Sequence, residues 1–141
     1  MAKIMETAIQ KKIANEVNKD DSMYCIVLPT PRTQSGIYTA KQPIDIVCSR
    51  GSKAIWVEVK VCNGNNIWNV NALALEQKKV IKKMLSKGIS INILIYWSRH
   101  NYYTMHDGSI FNHTSTIRYN EESKWSLSEM GKLFQNCFDE T

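Results

Sequence analysis

No stretch of this 141-residue chain stays apolar long enough to cross a membrane, which excludes a helical membrane protein. Its start, Met1-Ala2-Lys3-Ile4-Met5-Glu6, lacks the apolar core of a signal peptide, so a cytoplasmic protein is expected. Cys25, Cys48, Cys62 and Cys137 form no CxxC motif and have no histidine at ligand spacing. That removes a zinc site and leaves reduced thiols that fill space as small hydrophobes. His100, His106 and His113 also lack ligand spacing, and surface or turn positions are expected for them. There are no internal repeats and no low-complexity segment, so residues 1–141 are expected to form one domain, long enough to bury a core. Acidic residues are outnumbered: the net charge is +5 and the isoelectric point near 9.0, which favours a polyanionic partner without establishing one.

What is present centres on two apolar, β-branched runs, Ile44–Cys48 and Ala54–Val61, around Ser49-Arg50-Gly51-Ser52-Lys53. Read as strands, the second puts Trp56, Glu58 and Lys60 on one face and Ile55, Val57, Val59 and Val61 on the other. A turn centred between Gly51 and Ser52 sets Asp45 directly opposite Glu58, with Cβ atoms roughly 4.5–5.5 Å apart. Like charges so placed destabilise a sheet unless something cationic offsets them. Hard carboxylate oxygens of this kind suit Mg²⁺ or Mn²⁺. An ordinary cross-strand ion pair with Lys60 on a solvated face is the alternative use of the same residues.

Pro43, Asp45, Glu58-Val59-Lys60 and the hairpin between them resemble the PD-(D/E)xK nuclease superfamily, and the interval resembles that of the archaeal Holliday-junction resolvases. A longer resemblance joins Leu28-Pro29-Thr30-Pro31, Lys41-Gln42-Pro43, Asp45, Glu58-Val59-Lys60, Gln77 and Tyr102-Tyr103. In that order they are similar to the bacterial resolvases once called penicillin-binding-protein-related factor A. The segment from Pro29 to Gln42 is shorter than the stalk of those proteins, and Ile44 stands where they tend to have threonine.

Residues 2–18 read as an amphipathic helix on which Ile13 and Val17 lie about 20° and Ile9 about 60° from Glu6. Glu6 is therefore on the apolar face, where it either reaches inward or swings out to complement the helix dipole. The resemblance implies that an acidic residue on this first helix completes the metal site. Met23–Leu28 reads as a short strand, and Pro29–Gln42 as an exposed loop whose Arg32 and Lys41 could meet phosphates or equally be solvated surface charges. Val61–Val70 reads as a loop, Asn71 as an N-cap, and Ala72–Lys87 as a helix ended by Gly88. On it Leu73, Val80, Ile81 and Met84 fall within about 60° of Gln77, so an amide sits at the centre of an apolar face. It is either a core amide bonded to backbone or a group reaching the site, the place the resemblance gives it. Lys78, Lys79, Lys82 and Lys83 cluster on the other face, pointing away from the presumed site, and read as a solvated face rather than a DNA contact.

Ile89–Tyr96 reads as a strand covered on both faces. Asp107-Gly108 reads as a hairpin turn between Tyr102–Met105 and Ser109–Phe111, and Ser126-x-x-Glu129 as a capping box opening a last helix. Trp68, Trp97 and Trp125 are expected in the core or an interface. The expected fold is α/β: a three-layer restriction-endonuclease-like core with a mixed central sheet, order αβββαβ, then a C-terminal hairpin and helix. The resemblance implies a metal-dependent endonuclease on branched double-stranded DNA, acting in recombination and repair as a homodimer. Asp45, Glu58, the Val59 carbonyl and Glu6 would hold Mg²⁺, Lys60 would stabilise charge on the phosphate, and Gln77 would orient Lys60 or the attacking water. A general or restriction-type endonuclease on duplex DNA, or a non-catalytic DNA-structure-binding protein, are the rival readings.

Overall fold

The computed structural model describes residues 6–29, 44–64, 66–73 and 75–140. The expectations placed on Arg32, Lys41 and Pro43 lie outside them. Ile9, Ile13 and Val17 recur every fourth position and all are buried, and they define helix α1 (Glu6–Val17). Strands β1 (Tyr24–Val27), β2 (Ile46–Arg50) and β3 (Lys53–Cys62) follow as an antiparallel meander. Gly51, at φ +61°, turns β2 into β3, and the register pairs Ile46 with Val57 and Arg50 with Lys53 as the sequence predicts. Helix α2 (Leu75–Ser86) then crosses over to β5 (Ile91–Trp97), parallel to β3, and β6 (Tyr102–Asp107) returns antiparallel. The five strands lie in the order β1-β2-β3-β5-β6, with β3 in the middle.

Two apolar layers sandwich that sheet. Val57, Val59, Leu94 and Tyr96 face α1 and the last helix, α3 (Met130–Asp139), which contributes Met130, Leu133, Phe134 and Phe138. Ile91, Ile93, Ile95 and Trp97 share a layer with Ile81 on α2 and with Leu73 just before it. Strand β5 is thus apolar on both sides, the reason for its unbroken run in the sequence. The helix ends as expected: Gly88, at φ +76°, donates to Leu85 O at 3.0 Å while Ile89 N donates to Met84 O at 3.0 Å. Glu129 Oε1 accepts from Ser126 N at 2.9 Å, closing the predicted box ahead of α3. All four cysteines are free, with Cys25, Cys48 and Cys62 buried.

Four expectations are corrected. Asn71 does not cap α2: it lies inside a 3₁₀ turn, Val70–Ala72, which Asn69 caps, and the helix opens only at Leu75. The 61–70 stretch is not all loop: β3 runs through Cys62, and β4 (Ile67–Asn69) pairs with β7 (Thr116–Arg118) in a separate ribbon, burying Trp68. Asp107-Gly108 is not a hairpin turn either. Asp107 Oδ1 accepts from Ser109 N at 2.8 Å and opens a 3₁₀ turn, Gly108–Asn112. A Cβ on Gly108 would meet Ile91 O at 2.9 Å, so the glycine serves close packing. His106, expected on a turn or surface, is half-buried on β6 beside Thr104.

At its outer side β1 meets one residue from the end of α1. Asn18 Oδ1 accepts from Cys25 N at 2.7 Å, and Asn18 Nδ2 donates to Cys25 O at 2.8 Å.

Candidate active site

Asp45 sits where β2 and β3 part. Leu28 N donates to its carbonyl at 2.8 Å, continuing the β1 register, while its own N–H reaches Val57 O at 3.2 Å. Beyond this point Val59 N–H, which faces β2, has a side chain for a partner: it donates to Asp45 Oδ2 at 2.8 Å. In a strand the N–H and C=O of one residue point to the same side, so the Val59 carbonyl is turned toward Asp45 as well.

Glu58 and Lys60 lie on the opposite face of the central strand, toward α2. Exposure is 7% for Asp45, 0% for Glu58, 4% for Lys60 and 2% for Gln77. Four polar groups so deeply buried have to satisfy one another, since an unpaired one costs several kcal/mol. Glu58 Oε1 takes Gln77 Nε2 at 3.0 Å and stands 3.2 Å from Lys60 Nζ. Glu58 Oε2 is buried with no hydrogen-bond partner among the described residues. With all three ionised, Asp45, Glu58 and Lys60 would carry one uncompensated negative charge. Burial first, and then repulsion from Asp45, hold the Glu58 carboxyl far above the usual carboxylate range, with the Lys60 ammonium only partly offsetting them.

The sheet with its flanking helices also has a counterpart among solved structures. Archaeoglobus fulgidus Hjc, a Holliday junction resolvase from an archaeal hyperthermophile, superposes with a TM-score of 0.55 at 16% identity, over 90% of this chain and 98% of that one. The fold is restriction-endonuclease-like: a five-stranded mixed sheet flanked by helices. No family model matches the sequence, and no curated protein does. At this identity the likeness speaks for the fold, and the chemistry has to be read from the residues.

Asp45, Glu58, Lys60 and Gln77 therefore meet in one place, with Val59 presenting its backbone. Gln77 touches Glu58, so it fixes that carboxylate's orientation. Glu6 opens α1, half-buried, on the helix that covers the other face of the sheet. Among the described residues no group of three or more His, Cys, Asp or Glu side chains gathers at ligand distance, so the carboxylates that converge are a pair. Whether they suit a cation is answered by Glu58 Oε2: a buried, partnerless hard oxygen beside a second carboxylate and a strand carbonyl is a donor set for a small divalent ion. Sequence reading did not single out Thr104, whose Oγ1 takes the Trp97 indole N–H at 2.8 Å and lies 2.7 Å from His106 Nε2. The alternation of Tyr102, Thr104 and His106 along β6 was the available signal.

Among the described residues no helix is long and apolar enough to cross a membrane.

Proposed function

We propose that this chain is a metal-dependent endodeoxyribonuclease that resolves four-way DNA junctions as a homodimer. The observation that carries the reading is Glu58: a wholly buried carboxylate, pressed against Asp45, with one oxygen left unpartnered on a nuclease fold. A merely structural carboxylate in that position would be a standing liability. Asp45, Glu58 and the Val59 carbonyl would hold Mg²⁺, with Mn²⁺ able to replace it. When bound, such an ion lowers the pKa of a coordinated water and offsets charge gathering on a phosphate.

The chain's own residues account for the rest. Lys60 places its ammonium beside Glu58, where it stabilises negative charge developing on the scissile phosphate. Gln77 donates to Glu58 Oε1 and so holds the carboxylate in place while Oε2 stays unpartnered. Burial of all four groups excludes competing water and strengthens each interaction. Glu6 would close the shell directly or through water, and Glu6→Gln against Asp45→Asn in the same cleavage assay separates a contributor from a bystander.

Selectivity for junctions would come from spacing two Asp45–Glu58 sites on one rigid dimer, because phosphate contacts alone are blind to sequence. Support comes from the overall likeness to a resolvase and from the net charge of +5. A nicking assay on a mobile four-way junction and on its linear arms, at matched salt with Mg²⁺, tests the proposal beside a solution mass measurement. Symmetric cleavage of the junction by a dimer is the expected result. Equal cleavage of both substrates would identify a general endonuclease, and junction binding without cleavage would identify an architectural protein.

A further inference from the structure

The lysine cluster of α2 is more than a solvated face. Relative to Gln77, Lys78 is turned by about 100°, Lys82 by about 140° and Lys79 by about 200°, so these ammoniums stand on the side of the helix away from Glu58. The chain after β6 folds against that side and leaves an open cavity of ≈ 530 Å³ between α2 and residues 111–115. Its walls are fixed: Val70 N donates to Ser115 O at 2.9 Å, and both His113 N and Thr114 N donate to Ile110 O, at 3.0 and 3.1 Å.

The cavity has two chemical halves. Lys78, Lys79 and Lys82 supply cations, and among the described residues no carboxylate lines it. Leu75, exposed to 65%, joins Val70 and the half-buried Phe111 ring in an apolar floor. The volume falls within the roughly 300–1,000 Å³ of small-molecule sites, well above what a lone inorganic anion fills. Lys79 meets Glu76 only at 3.8 Å, with both side chains largely in water, so it is available to an anion. Lys78 donates to Asn71 Oδ1 at 3.3 Å, which holds its ammonium at the mouth.

We propose that this cavity binds a nucleoside phosphate, either free or as one unit of a DNA strand, with the phosphate on Lys78, Lys79 and Lys82 and the base over Leu75 and Phe111. Cationic wall, aromatic and aliphatic floor, and amides at the rim match those two ends of one ligand. The site is separated from Asp45 and Glu58 by the thickness of α2, and it stands whether or not the chain cuts DNA.

Calorimetric titration of the full chain with dAMP, inorganic phosphate and a five-nucleotide oligothymidylate tests this, without divalent ions so that no metal bound at Asp45 and Glu58 can recruit phosphate. The combined variant K78Q/K79Q/K82Q is compared with wild type, with circular dichroism reporting that each folds. Because the lysines could matter through general charge alone, Leu75→Ser is the second variant; its side chain is exposed and uncharged. The expected result is dAMP binding weakened at least tenfold by the lysine changes and several-fold by Leu75→Ser, with phosphate at least tenfold weaker than dAMP. An oligonucleotide that binds more tightly than dAMP, and weakens with the same variants, assigns the ligand to a DNA strand; equal or weaker binding assigns it to a free nucleotide. The proposal is overturned by phosphate binding as tightly as dAMP, or by dAMP and the oligonucleotide both failing to bind or both ignoring the lysine and leucine changes.

Discussion

Glu58 is the residue at which stability and chemistry pull in opposite directions. Burying an ion is penalised by several kcal/mol, against roughly 1.5–3 kcal/mol returned by a well-buried isoleucine such as Ile93. In the metal-free protein that penalty should be measurable through its pH dependence. The folded-state pKa of Glu58 is raised above its unfolded value, so below about 4.5 the group is neutral in both states and nothing is lost. As pH rises above that, the unfolded chain ionises first and stability falls until the folded carboxyl ionises too. Glu58→Gln should therefore stabilise the metal-free fold at pH 7 by on the order of 1–3 kcal/mol and by nothing near pH 4. Urea titrations at the two pH values check the difference; a variant less stable at pH 7 would mean that Glu58 is a structural residue. The same change, like Asp45→Asn, should abolish cleavage while leaving junction binding intact. For Lys60→Ala, turnover is expected to drop by a factor on the order of 10², the scale of one lost electrostatic stabiliser. Its metal affinity, read by isothermal titration, should barely change, because an ammonium is not a ligand.

At the scale of elements, the site exists because β2 and β3 stop pairing one residue before their ladder would bring Asp45 fully into the sheet. Asp45 then lends its carboxylate to Val59 N–H, and the two carboxylates converge. Helix α2 supplies the remaining donor. Gln77→Met keeps the volume and removes the N–H that favours the charged form of Glu58, so the pH at half-maximal cleavage should move upward while the fold persists. A pH–rate profile tests this; an unchanged midpoint with lower activity would mean that Gln77 only packs. Much of this was legible beforehand. Strict alternation from Ile55 to Val61 and one Gly-containing turn set the register, and Gln77 stood out as the polar member of an apolar stripe. The ribbon of β4 and β7 was not legible, because three-residue strands are too short to reveal a period. Asp107-Gly108 misled because an Asp side chain can cap a 3₁₀ turn as readily as a glycine can turn a hairpin. Which use wins depends on Ile91, which is distant in sequence.

For the whole molecule, the half-buried His106 on β6 adds a loss of stability on the acid side. The Trp97 indole can only donate, so Thr104 Oγ1 accepts from it, and the same oxygen lies 2.7 Å from His106 Nε2. Burial pushes His106 down to about 4. The sign is opposite to that of Glu58: stability is fully present above the unfolded value near 6.5 and is lost as pH falls from there to about 4. The fold is thus squeezed from the acid side by β6 and from the alkaline side by β3. His106→Asn, which keeps an acceptor for Thr104, should flatten the loss between pH 6.5 and 4 in denaturant titrations. If wild type and variant lose stability in parallel across that window, the acid limit belongs to other groups.

Asn18 has a consequence for how copies of this chain behave in a crowd. A sheet's outermost strand offers alternate N–H and C=O pairs to any extended peptide that drifts alongside, the contact from which fibrils and precipitates grow. At Cys25 one such pair is already taken at both points by a side-chain amide, a counterfeit strand one residue long. The decoy is supplied from within the chain, by the residue that follows α1. Asn18→Ala would leave the folded sheet in place and remove the decoy, so light scattering on prolonged incubation at high concentration should rise above wild type before any change in melting temperature accounts for it.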